Sequence, residues 1–371
     1  MSEKIKFAVV GCGHIGKRHA EMIVRNDACE LVALADVKEK SQLGIERYSV
    51  PFFSSLDELL NSGLKVDVVT IATPNGLHYA QALEVLEWGK HVVVEKPVTL
   101  DPEEAQHLLQ EARVRHKHLF LVMQNRYSPP AVWLKEMVES GKLGDLYMVQ
   151  MNCYWNRDER YYTPGSWHGT ADLDGGTLYT QFSHFIDIMY WLFGDIKNID
   201  AKFADFNHRD LTDFEDSGFV RFDFANGGMG TLNFSTAVWN RNLESSITVI
   251  AQSGSVKIGG QYMDKVEVCH IKDYEMPALE PTNPENDYGA YKGSAVNHHY
   301  IIENIVDVLH GRADPAVEAA DGLLVVDMIQ RIYARKPEKQ IAVPNNPLQH
   351  PFSLPEADGK TGFPARGGAD K

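Results

Sequence analysis

The sequence predicts an α/β chain in two parts: a doubly wound parallel sheet, then an α+β part built on a large, mostly antiparallel open sheet. Three observations carry this reading. With 371 residues the chain is about twice the usual size of one domain. Over residues 1–124 short apolar runs alternate with amphipathic stretches, as parallel strands alternate with helical crossovers. Past residue 124 the strand-like runs lengthen and meet at short turns bearing Gly or Asn, which suits antiparallel neighbours. The expected division is 1–124, 125–343 and a tail, 344–371, whose Pro, Gly and charge suit loose packing.

In the first part Ile5–Gly11, Glu30–Asp36, Asp67–Thr73, His91–Glu95 and His118–Gln124 are the strand candidates, rich in Val, Ile and Leu. Between most of them lie amphipathic helix candidates, Ile15–Asn26, Leu77–Trp88 and Glu103–His116. Asn125–Pro130 is a polar, proline-bearing joint, followed by a helix to Ser140 and the turn Gly141–Asp145. Strands are then expected at Leu146–Trp155, Gly218–Phe224, Met229–Ala237, Ser246–Ala251 and Ser255–Ile258. Helices are expected at Gly176–Phe193 and near Val296–Leu309 and Ala319–Ala334.

Composition narrows the function classes. A formal net charge of −15 disfavours nucleic acid or an anionic membrane as main partner. An anionic small ligand stays open, because it answers to local charge. No apolar stretch reaches the roughly 20 residues of a membrane span. Cys12, Cys29, Cys153 and Cys269 form no C-x-x-C pair, so no disulfide framework or structural zinc is expected. A reducing, cytoplasmic setting is expected.

Gly11-Cys12-Gly13-His14-Ile15-Gly16 stands between a strand and a helix and matches G-x-G-x-x-G, the Rossmann dinucleotide fingerprint. Gly11 allows the tight turn, Gly13 lets the backbone approach a pyrophosphate, and Gly16 lets helix and strand pack closely. The helix N-terminus supplies free N–H donors for the phosphates. Asp36 ends the second strand, where its carboxylate accepts from ribose hydroxyls and repels a 2′-phosphate. NAD is therefore expected rather than NADP, with FAD or another adenosine ligand as the alternative.

Further motifs follow in order. Thr73-Pro74-Asn75 with His78 comes after the third strand candidate, Glu95-Lys96-Pro97 after the fourth, and Gly175-Gly176 precedes a helix carrying His184-x-x-Asp187. Oxidising a secondary alcohol needs a hydride acceptor and a base for the hydroxyl proton. His184 has the right type for that base. Lys96 lies at the carboxyl end of a parallel strand, where an ammonium can hold the hydroxyl and steady developing alkoxide charge. On the helical wheel Thr180, His184, Asp187 and Trp191 lie opposite the apolar stripe of Phe182, Phe185, Ile186, Met189 and Phe193. That placement alone also fits a solvent-facing histidine.

Together these motifs resemble the Gfo/Idh/MocA family of sugar and polyol dehydrogenases, over roughly residues 4–335. The resemblance implies Lys96 as positioning group, His184 as acid/base, and dimers or tetramers joined through the open sheet. Thr73, Pro74, Asn75, His78, Glu95 and Gln124 are expected to border the nicotinamide, although Asn75 equally suits a plain helix N-cap. Arg126, Asn156, Arg157, Trp167 and Thr180 are expected to meet substrate. For Arg126 a joint ion pair is the alternative, and for the aromatic segments plain packing. His298 and His299 point about 100° apart on a helix, and a histidine base needs no metal, so none is expected.

Thr180 stands where many family members have Asp. Branches acting on nucleotide sugars often place an uncharged residue there. The segment Tyr161-Tyr162…Ser166-Trp167-His168-Gly169 resembles the UDP-N-acetylglucosaminuronate 3-dehydrogenases of surface-polysaccharide synthesis, which usually carry asparagine at position 180. A sugar or nucleotide sugar is the expected small-molecule partner. A free-sugar or inositol dehydrogenase and a non-catalytic NAD or sugar sensor are the other readings.

Overall fold

The computed structural model describes residues 3–289 and 291–336; the tail at 344–371 lies outside them. Strands β1 (Ile5–Val10), β2 (Cys29–Ala35), β3 (Phe52–Phe53), β4 (Val68–Ile71), β5 (His91–Val94) and β6 (Leu119–Leu121) form one sheet. Its order is β3-β2-β1-β4-β5-β6 and every pair is parallel. Helices α1 (His14–Arg25), α2 (Leu56–Leu60), α3 (His78–Glu87) and α4 (Pro102–Val114) lie between the strands in sequence. All four residues of β4, three of them apolar, are buried, because helices cover such a sheet on both faces. The sequence reading does not anticipate β3, two half-buried residues at the sheet edge and too short for a periodic signal.

Chain order reverses across β1, which has β2 on one side and β4 on the other. The crevice beyond the strand ends at such a switch point is where these sheets take ligands. Gly11 shapes it: with φ at 86°, a Cβ there would sit 2.5 Å from the Ala72 carbonyl oxygen. A Cβ on Gly16 would run into the Gly11 carbonyl, so α1 packs on its own loop only through glycine.

After α5 (Pro129–Glu139), strand β7 (Leu146–Tyr154) opens the second sheet. Then come α6 (Thr177–Thr180), α7 (Ser183–Phe193), β8 (Ile196–Ala204), β9 (Ser217–Phe224), β10 (Met229–Ser235), β11 (Glu244–Ala251), β12 (Gly254–Gly259) and β13 (Lys265–Ile271). The order is β13-β12-β11-β7-β10-β9-β8, antiparallel throughout except for the parallel pair β7–β10. Along β9, Val220, Phe222 and Phe224 are buried while Phe219 and Arg221, on either side of Val220, are exposed. This alternation means one covered face and one open face. Phe182 and Phe193, flanking and ending α7, meet Phe234 and Phe224 on the covered side.

The two edge strands escape the sequence reading. Both carry charge, Lys197, Asp200 and Lys202 on β8 and Lys265 and Glu267 on β13, as edges do when they resist pairing with other chains. The single helix expected at Gly176–Phe193 is two, broken around Gln181 and Phe182. A small hairpin, β14 (Glu285–Asp287) with β15 (Lys292–Ala295), precedes α8 (His298–Leu309) and α9 (Ala319–Tyr333). Though late in the chain, α8 buries Ile301, Ile302 and Ile305 in the core that holds Ala20 and Ile23 of α1. The two parts therefore share packing.

Candidate active site

A cavity of about 550 Å³ opens beyond the carboxyl ends of β1, β2, β4 and β5, and residues from both parts of the chain line it. On one side are Gly11, Gly13, His14 and Ile15 of the fingerprint. The α1 N-terminus has no side-chain cap, and a Cβ on Gly13 would meet nothing within 4 Å. Free N–H donors thus face open space, which suits a pyrophosphate. Asp36 lines the same side, its carboxylate fixed by the backbone N–H groups of Cys12 (2.7 Å) and Lys38 (2.9 Å).

Lys96, directly after β5, points its ammonium across the cavity and donates to the Thr180 carbonyl at 2.6 Å. The helix break between α6 and α7 places that carbonyl there. Burial pulls the Lys96 amine down to about 8, with Glu95 and Asp174 opposing the shift and Arg157 adding to it. His184, in the first turn of α7, is buried. Its Nε2 lies 2.9 Å from the Gln124 amide nitrogen, and its Nδ1 has no partner among the described residues. Burial first, then the Lys96 charge, holds the imidazole well below its ordinary range, so it is neutral and able to take a proton.

Behind Lys96 lies a denser network. Burial pushes Glu95 up, but the rings of His19 (2.8 Å) and His298 (3.6 Å) outweigh it and hold the carboxyl well below its ordinary value. The donor atoms of these three residues lie within 4.8 Å of one another, a grouping that adjacency in sequence does not reveal. Asn75 bridges the halves by donating to the Asp174 carbonyl (2.8 Å) and the Thr180 hydroxyl (2.7 Å), which donates in turn to the Asp174 carboxylate. His78 braces the Thr73 carbonyl (2.9 Å) and the Pro97 carbonyl (2.7 Å) with its ring nitrogens. Thr73 and Pro74 line the cavity beside it.

Two expected substrate residues lie elsewhere. Arg126 is not among the cavity lining; its guanidinium is buried in a two-oxygen pair with Asp187 (Nε–Oδ2 2.9 Å) and a further pair with Asp321 (2.7 Å). Two carboxylates satisfy it, so the joint ion pair describes it. Asn156 is also outside the lining, tying loops together through the Val238 carbonyl (2.7 Å) and the Asn242 side chain (3.0 Å). Arg157, Trp167 and Thr180 do reach the cavity. The sequence reading misses Gln181, Tyr288, Tyr291 and Ser294 as lining residues. The last three sit on or beside a hairpin whose strands of three and four residues leave no alternation to read.

Two family models match the chain: an oxidoreductase family with an NAD-binding Rossmann fold over residues 5–123, and the GFO/IDH/MocA C-terminal domain over residues 132–257. The chain belongs to the Gfo/Idh/MocA family. Among solved members, the WlbA dehydrogenase from Bordetella pertussis, in complex with NADH and UDP-GlcNAcA, is 31% identical. That match covers 90% of this chain and 96% of WlbA at a TM-score of 0.80. The D-glucoside 3-dehydrogenase of Escherichia coli is 28% identical over 90% of this chain and 95% of its own length. The inositol 2-dehydrogenase of Rubrobacter xylanophilus is 26% identical over 69% of this chain and 72% of its own. As a Gfo/Idh/MocA oxidoreductase the chain uses NAD, and Gly11–Gly16 with Asp36 fit it.

Proposed function

We propose that this protein is a dehydrogenase taking hydride from a secondary hydroxyl of a nucleotide-linked uronic sugar, of the UDP-N-acetylglucosaminuronate kind. The observation that carries the reading is the meeting of the Lys96 ammonium and neutral His184 at one cavity, beside the fingerprint loop. WlbA, with its bound UDP-GlcNAcA, supports the substrate class. The D-glucoside 3-dehydrogenase supports a free sugar as the second reading.

Bound NAD supplies the hydride acceptor. Lys96 Nζ donates to the substrate hydroxyl oxygen and steadies negative charge as it develops there. His184, neutral at the cavity wall, takes the hydroxyl proton on its ring. The fingerprint loop and Asp36 hold the adenosine half, leaving chemistry to residues of the far wall.

A screen of sugars and nucleotide sugars for NADH formation tests this. NADP should bind more weakly than NAD, since Asp36 repels its 2′-phosphate. If no sugar, polyol or nucleotide sugar reduces NAD, the enzyme reading fails and the sensor takes its place.

A further inference from the structure

Arg157 is the one cavity-lining arginine among the described residues, and it carries a charge that the protein leaves unanswered. It follows the end of β7 and is 2% exposed. Its acceptors are all neutral: the Gln181 side-chain oxygen to Nε (2.7 Å), the Asn156 carbonyl (2.7 Å) and Asn242 side chain (3.3 Å) to Nη1, and the Lys292 carbonyl to Nη2 (3.1 Å). Four of its five N–H groups are thereby used, and one on Nη2 is uncommitted. Trp155, Tyr161 and Tyr291 surround the guanidinium at 4.7–5.2 Å from ring centroids. Those rings soften the burial of a cation without neutralising it. Arg126, by contrast, is also buried but holds two carboxylates.

We propose that Arg157, with the hydroxyls of Tyr161 and Tyr291, is a carboxylate subsite that selects a uronic acid at the sugar ring undergoing oxidation. This rests on the dehydrogenase reading above and names what fixes its substrate. A buried cation without a counter-ion is costly, and a ligand anion removes that cost. Tyr161 accepts from Gln181 at 2.8 Å, so its own O–H is free to donate; Tyr291 accepts from the Tyr288 N–H through its carbonyl, and its hydroxyl makes no hydrogen bond among the described residues. Burial pushes both phenols up, so they stay protonated donors.

The subsite lies close to the reacting hydroxyl. Lys96 Nζ is held by the carbonyl of Thr180 and Arg157 Nε by the side chain of Gln181, the next residue. Consecutive Cα atoms are about 3.8 Å apart. Two cations anchored on one turn fit a hydroxyl and a carboxylate of the same ring better than a diphosphate further along the ligand.

Calorimetric titration of NADH-loaded protein with UDP-N-acetylglucosaminuronate, UDP-N-acetylglucosamine and UDP tests this without turnover. Wild type should bind the uronate about 10–100-fold more tightly than the neutral sugar, the worth of a charge-assisted pair. Arg157→Gln should shrink that ratio to within about threefold and leave UDP binding unchanged, while Tyr291→Phe should lower uronate affinity severalfold. Equal binding of the two sugars by wild type overturns the proposal whether or not any variant folds. So does a loss of UDP affinity in Arg157→Gln equal to that of both sugars, which would place Arg157 on the diphosphate. If wild type binds neither nucleotide sugar, free glucuronate against glucose decides. Preference for the acid then keeps the subsite and sinks the nucleotide reading, and equal binding sinks the subsite.

Discussion

The two sheets bury themselves in different ways. In the first, β4 is buried at every position, the polar Thr70 included. In the second, β9 and β10 alternate, and only every other residue is buried. The first sheet meets its ligand with backbone: strand ends, a glycine turn and a helix N-terminus. The second contributes single side chains from elements around its covered face, His184 from α7, Arg157 after β7 and Tyr291 from the hairpin. A cofactor that many enzymes share suits the first arrangement. A substrate that distinguishes relatives suits the second, because side chains can change without disturbing a backbone cradle.

Replacing His184 with Ala puts this division of labour to its strongest test. Turnover should fall about 10²–10⁴-fold, the usual worth of general acid–base catalysis, while NAD affinity by tryptophan quenching stays unchanged. A loss of NAD binding of the same size would erase the division. Lys96→Ala should also lose most turnover, with a modest change in NAD affinity tolerated because it lies nearer the cofactor side.

The pH profile of kcat/KM sharpens the roles of the pair. Burial lowers Lys96 to about 8, so its ammonium is lost as pH rises through that value. His184 is neutral over the whole neutral range. Oxidation should therefore be flat from about pH 6 to 7.5 and fall about tenfold per unit above 8. A rate that rises through 8 would make Lys96 the base and reverse the assignment.

The open face of the second sheet carries the smallest expected effect. Met148, Met229 and Ile250 occupy one register row there, with Phe219 four positions along β9 from that row and on the same face. All four are exposed, and a sheet with an uncovered apolar face suits a second copy. Light scattering should find a dimer or tetramer at micromolar concentration, and Phe219→Lys should weaken it about tenfold. A monomer would leave the face as surface only.

Much of the fold was legible because burial writes itself into hydrophobic pattern. Apolar runs separated by helices announced the parallel sheet, and alternation with glycine turns announced the other. Strands β8 and β13 were not legible, since the charges that protect an edge also break its alternation. Within the candidate site, motif order and strand position single out Gly11, Gly13, Asp36, Lys96 and His184, which the fold brings to one cavity. Arg126 misled because an arginine at a strand end reads alike whether it faces ligand or two carboxylates.

The sequence alone determined the class of each sheet, the dinucleotide cradle and the residue types able to move a proton, because these depend on local spacing and backbone freedom. Only the tertiary structure decided which charges find partners. Arg126 and Arg157 look equivalent in sequence, yet one is answered by Asp187 and Asp321, and the other by neutral oxygens and aromatic faces alone. The reason is that Coulomb attraction and desolvation depend on distance and burial in space. Asp321 stands 195 residues from Arg126 along the chain and 2.7 Å from it in the fold.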